Sequence, residues 1–115
     1  MPASMTTIGF EWTNTADWTI LFQVTDEETG DPVDFADAEI AVMIKDRDGG
    51  MRLSASVGAG IEVVTAGMFE LRFTSTQMGT LCPGSYMIGG VYRLNGSTSQ
   101  LFRGTIGIVD GVATI

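Results

Sequence analysis

Apolar side chains return at every second position in this chain, in one run after another. Trp18, Ile20, Phe22 and Val24 alternate with Thr19, Leu21, Gln23 and Thr25. Ile40, Val42 and Ile44 alternate with Glu39, Ala41, Met43 and Lys45, and Phe69, Leu71 and Phe73 with Glu70 and Arg72. Successive side chains on a strand point to opposite faces, so each run reads as a strand with one buried face. Two later runs, "SYMIGGVYRL" and "LFRGTIGIV", are apolar on both faces. In the first, Tyr86, Ile88, Tyr92 and Leu94 share one face and Met87 and Val91 take the other. In the second, Phe102, Ile106 and Ile108 are set against Leu101 and Val109. Such strands are central in a sheet or covered by another surface.

Turn chemistry falls between the runs, at "DEETGDP", "DRDGG", "VGAG", "TAG" and "LNGS". Asn95-Gly96 is the strongest hairpin signal, because both residues tolerate positive φ. Glycines inside the strands, at 89, 90, 104 and 107, predict bulges or close backbone approach. Helix is expected only over Ser75–Leu81, capped by Ser75 or Thr76 and stopped by Pro83 and Gly84. Gly84 and Tyr86 are placed to form a tyrosine corner, the hydroxyl bonding back to the preceding loop. The expected fold is all-β, an immunoglobulin-like antiparallel β-sandwich of about seven or eight strands with one short helical turn. A chain of 115 residues suits a single domain, residues 1–115. Residues 1–15 lack a clear strand period, and an extended arm against a neighbouring chain is expected there.

Composition narrows the function. Six bases against fourteen acids give −8, which repels phosphate backbones and anionic lipid. No nucleic-acid or membrane partner is expected. The N-terminal residues do not form a secretory signal, and no apolar run reaches membrane-spanning length, so a soluble protein is expected. There is no histidine, which removes Ser-His-Asp and Cys-His catalysis and every histidine-containing zinc site. Cys82 is the only cysteine, with nothing nearby to activate a thiolate, and reads as a buried structural residue.

The acidic stretch around "GDPVDFADAEI" invites a metal reading. Glu27, Glu28, Asp31, Asp34 and Asp37 could supply oxygen ligands to calcium. EF-hand spacing is absent, however, and Pro32 and Phe35 interrupt any ligand ladder. The competing reading is a crossing loop: Gly30-Asp31-Pro32 turns, Val33 and Phe35 enter the core, and Asp34 and Asp37 bond local amides. Asp46, Asp48 and Gly49 open like a calcium loop that no glutamate completes, and read as a hairpin turn. No carboxyl pair has a setting that marks a glycosidase, so no catalytic residues, no metal site and no cofactor are expected. Trp18 reads as core. Trp12 is the better surface candidate, and a carbohydrate- or host-surface-binding module built around it is the alternative of another class.

The order of these elements resembles small β-sandwich proteins of tailed bacteriophages, the LtfC-like β-sandwich and the N-terminal domain of baseplate upper proteins. "DWTILFQVTDEETGDPVDFADAEIAVMIKDRDG" is similar to their strand, "G-x-P-V-D-[LF]" turn and strand. "AGMFELRFTSTQMGTLCPGSYMIGGVYRLNGSTSQLFRGTIGIVDGV" is similar to their strand, "T-x-x-x-x-L-x-x-G-x-Y" corner, hairpin and closing strand. The likeness spans Trp18 to Val112. Asp34, Gly84, Tyr86 and Gly104 match the family's pattern, while Phe35 stands where leucine is more usual. The resemblance implies a non-enzymatic virion component made in the host cytoplasm. Its place would be a tail, baseplate or fibre attachment, or alternatively the capsid surface or neck. Its partners would be other virion proteins, and it would be present in several copies or as a homo-oligomer. The interface residues expected are Ile8, Phe10, Trp12, Met87, Val91 and Leu101.

Overall fold

The computed structural model describes residues 6–26, 29–35 and 37–113, with residues 6–8 as backbone alone. Eight strands follow in chain order: β1 (Thr6–Thr13), β2 (Trp18–Gln23), β3 (Glu39–Lys45), β4 (Met51–Val57), β5 (Gly60–Thr65), β6 (Met68–Phe73), β7 (Gly84–Leu94) and β8 (Ser97–Val109). One helical turn, α1 (Ser75–Met78), lies between β6 and β7. The strands hydrogen-bond in the order β1-β8-β7-β3-β4-β5-β6-β2. Pairing is antiparallel except for β1 with β8 and a two-residue contact of β4 with β5.

That short contact is where the sheet folds into two layers. The turn Val57–Gly60 carries the chain sideways, from β4 in one layer to β5 in the other, with Ser56 and Ala59 exchanging backbone bonds. β1, β8, β7, β3 and β4 form one layer, and β5, β6 and β2 the other. Rings meet between the layers: Phe22 stacks on Phe102 at 4.8 Å, and Phe10 meets Trp18 edge-on at 5.3 Å. A sheet folded onto itself in this way is a sandwich, with the inward residues of both layers as its core. The alternating residues read from the sequence fill it: Ile40, Val42, Ile44, Phe69, Leu71 and Phe73 are all buried. Parallel pairing of β1 with the last strand, and pairing of β2 with β6, give the sandwich its immunoglobulin-like character.

Four local features differ from expectation. Of the residues expected in an arm against a neighbour, 1–5 lie outside the described residues and 6–13 are strand β1 of the sheet. The Phe10 ring packs against Trp18, Phe22 and Phe102 of the same chain. Leu101 was expected to face away from Phe102, yet both are buried, Leu101 at 5% exposure. The cause is a bulge. Gly90 pairs with Phe102 and Val91 with Gln100, so Leu101 is the extra residue and parity resets there. The cap of α1 is Thr74, one residue earlier than expected. Thr74 and Gln77 form a reciprocal capping box, and the helix ends at Gly79, ahead of Pro83. Cys82 is exposed, because Leu81 takes the inward position and Cys82 offers only its carbonyl to the corner.

The tight turns follow residue chemistry. Asp46 Oδ1 accepts the amides of Asp48 and Gly50, closing the β3–β4 hairpin. Asn95 at φ 53° and Gly96 at φ 81° make the two-residue β7–β8 turn.

Candidate functional site

The outer face of the β8–β7–β3–β4 layer is where exposed apolar side chains gather. Its positions are the odd-numbered residues of β7 and β3, opposite the core-facing even ones. Register sets them in rows. Met43 lies opposite Gly89, which lies opposite Arg103. Lys45 lies opposite Met87, which lies opposite Thr105, and Ala41 opposite Val91. Met43 is 40% exposed and Met87 45%. Gly89 carries no side chain, so the methionines and Val91 rim a shallow depression of about 260 Å³. A second depression, about 480 Å³, begins over the same Ala41 and Val91 and runs to Val57, Arg93 and Thr98. Together they make one continuous, gently hollow, mostly apolar face.

Charge on this face is cationic. Arg93 is engaged by Glu39 across the β7–β3 pair. Among the described residues, Lys45 and Arg103 have no ion-pair partner. Methionine suits such a surface, since its unbranched, polarisable side chain adapts to the shape laid against it.

Of the residues expected at an interface, Met87 and Val91 lie on this face. Phe10 and Leu101 are turned into the core, for the reasons given above. Trp12 is exposed at the rim between β1 and β2, its indole N–H donating to the Asp17 carbonyl at 3.1 Å. The side chain of Ile8 lies outside the described residues. Met43, Lys45 and Arg103 were missed as interface residues. The signal was present: Met43 and Lys45 are the outward members of the β3 alternation, and register with β7 and β8 joins them to Met87 and Arg103.

The acidic segments lie in the β2–β3 crossing and the β3–β4 turn. The crossing from β2 to β3 is a narrow loop in which Thr25 bridges Pro32 and Val33 N–H donates to the Val24 carbonyl. Phe35 is buried, touching Phe69 and Tyr92 edge-on. Asp26 Oδ1 accepts the Thr29 amide, and Asp34 and Asp37 are exposed. Glu27 and Glu28 lie outside the described residues. Among the described residues, no group of three or more histidine, cysteine, aspartate or glutamate side chains converges as a metal site. No polar or charged side chain there is buried.

The Asp17 carboxylate is held at both oxygens. Asp17 accepts the Ser75 amide at 2.6 Å through Oδ1 and the Arg72 guanidinium at 3.0 Å through Oδ2. The Ser75 bond first, and Arg72 second, hold its pKa below the ordinary 3.8. Asn14 donates to the Leu81 carbonyl and accepts the Gly111 amide nearby. This cluster ties the β1–β2 turn to α1 and to the chain beyond β8.

No protein-family model matches this chain, and no curated protein sequence does. Among solved structures it is similar to the crystal structure of CopC from Methylosinus trichosporium OB3b, at 14% identity and a TM-score of 0.48. That match covers 96% of this chain and 91% of the other.

Proposed function

We propose that this protein is a non-enzymatic docking module of a tailed-phage virion, acting at the tail, baseplate or fibre attachment. The outer face of β8–β7–β3–β4 is its contact surface. The observation that carries the docking role is the pair of half-exposed methionines, with Val91, around the Gly89 floor. A lone sandwich gains nothing from apolar side chains on its outer face, whereas an interface core is built from them, with methionine and arginine enriched. The order of motifs from Trp18 to Val112, and its likeness to phage β-sandwich proteins, supports the virion setting.

Two measurements test this reading. Mass spectrometry of purified particles is expected to detect the chain in stoichiometric, repeated copies. Met43→Glu with Met87→Glu is expected to deplete it from particles at least about tenfold while the variant stays soluble in the lysate, since it replaces the apolar rim with carboxylates that also neutralise Lys45 and Arg103. Particles that lack the wild-type chain remove the virion role. Normal incorporation of the double variant removes this face as the contact.

A further inference from the structure

Charge is unevenly spread along the chain. Five of the six bases, Lys45, Arg47, Arg52, Arg93 and Arg103, lie on β3, β4, β7, β8 and the β3–β4 turn, beside Glu39, Asp46 and Asp48. The second layer, β2, β5 and β6, carries Arg72 with Glu62 and Glu70. The outer face of that second layer pairs acid with apolar surface. Leu21 and Val64 are 51% and 56% exposed. Glu62 lies directly opposite Glu70, which lies directly opposite Leu21. Like charges facing each other across strands are unfavourable. Among the described residues neither glutamate has an ion-pair partner, and Arg72, two positions along β6, is taken by Asp17.

Each layer therefore presents what the other lacks: two unpaired cations among methionines on one, two facing carboxylates beside Leu21 and Val64 on the other. We propose that copies of this chain stack through these unlike faces. Lys45 and Arg103 of one copy meet Glu62 and Glu70 of the next, and Met43, Met87 and Val91 cover Leu21 and Val64. This deepens the docking reading, on which it rests, by naming a second copy as the occupant of the methionine face. The molecule measures 45 × 27 × 22 Å, so a sheet face can supply the roughly 800 Å² a side of a stable interface. Net repulsion between copies is screened beyond about 8 Å at physiological salt, while facing pairs at contact distance keep their attraction. The contact is head-to-tail, so each added copy leaves one face of each kind free. The stack closes as a ring or grows as a filament.

Charge reversal tests this. In sedimentation velocity at about 150 mM salt, the full wild-type chain is expected to associate beyond a dimer as concentration rises. Lys45→Glu with Arg103→Glu, and separately Glu62→Lys with Glu70→Lys, are each expected to weaken association about tenfold or more. The fourfold variant, whose faces are swapped but again complementary, is expected to recover it, as is an equimolar mixture of the two double variants. Circular dichroism checks that each variant keeps its β spectrum. A wild-type chain that stays monomeric up to about 1 mM, far above the μM range of even weak specific interfaces, overturns the proposal. So does association indifferent to the Glu62 and Glu70 reversal, which would mean like faces pairing. Monomeric wild type with Met43→Glu/Met87→Glu still depleted from particles removes self-stacking alone. Intact stacking with no chain in particles removes the virion role alone.

Discussion

Tyr86 shows how much a single hydroxyl can fix. Its ring is buried, and its O–H donates to the Cys82 carbonyl at 2.7 Å, holding the loop after α1 against the start of β7. Tyr86→Phe keeps the ring and deletes one bond, so a loss of about 1 kcal/mol is expected in urea denaturation. A change within error would mean that water replaces the bond at no cost. Asp17 acts at the same end of the molecule. Its folded pKa lies below the unfolded value, so its contribution to stability is present above the ordinary 3.8 and disappears as pH falls through the folded value. NMR titration should find the Asp17 midpoint below 3.8, and Asp17→Asn should flatten the acid limb of the stability–pH curve. An Asp17 midpoint at or above 3.8 would contradict the Ser75 and Arg72 contacts. Residue identity made the tyrosine legible in the sequence, through Gly84 and the strand behind it. Asp17 was not legible, because its partners are Arg72 and Ser75, more than fifty positions away, and only the folded chain joins them.

Among the elements, the β7–β8 hairpin carries the most local specification. Its turn is encoded by Asn95-Gly96, and Gly90 marks the bulge and the close approach expected of a strand glycine, but the alternation, which continues apolar through Leu101 and Phe102, does not show which residue is extra. The bulge depends on a contact across the pair. The Phe102 ring lies over Gly90, where an added Cβ would sit 2.5 Å from the ring. Gln100 then spans the disturbed ladder, donating to the Gly90 carbonyl at 3.1 Å and the Phe102 carbonyl at 2.8 Å. Glycine at 90 is thus required by the ring above it. Gly90→Ala is expected to cost about 1–3 kcal/mol, as overpacking does. Gly89→Ala, which meets its nearest neighbour at an ordinary 3.5 Å, should cost less than Gly90→Ala. Equal losses in thermal denaturation would show that strand entropy, rather than the ring, sets the requirement. The N-terminal strand was missed although it alternates: Ile8, Phe10 and Trp12 are separated by Gly9 and Glu11. What the sequence hides is its partner, a parallel strand about a hundred residues later. Helix α1 was displaced by one residue because Thr74, Ser75 and Thr76 can all cap, and Gln77 selects Thr74 by returning the bond.

For the whole molecule, period-two alternation was enough to foretell an all-β fold around one core, because one-faced strands with hardly any helix to cover them must bury their apolar sides against one another. It was not enough to foretell which outward residues matter. Outward positions look alike along one strand, and only register across β3, β7 and β8 assembles Met43, Met87, Lys45 and Arg103 into a single face. That face and the core make opposite demands, and stability measurements can separate them. Met43 and Met87 are exposed and stand outside the core cluster, so Met43→Glu with Met87→Glu should change unfolding free energy by no more than about 0.5 kcal/mol per site. Phe102, packed between Phe10, Phe22 and Gly90, should cost about 3–5 kcal/mol when replaced by alanine. The two methionines are therefore dispensable for folding, and if they are nevertheless required in the particle, the need arises outside the fold. Should the glutamate pair destabilise the chain as much as Phe102→Ala does, these methionines would be part of the core's support. The outer face would then lose its claim to be a contact surface.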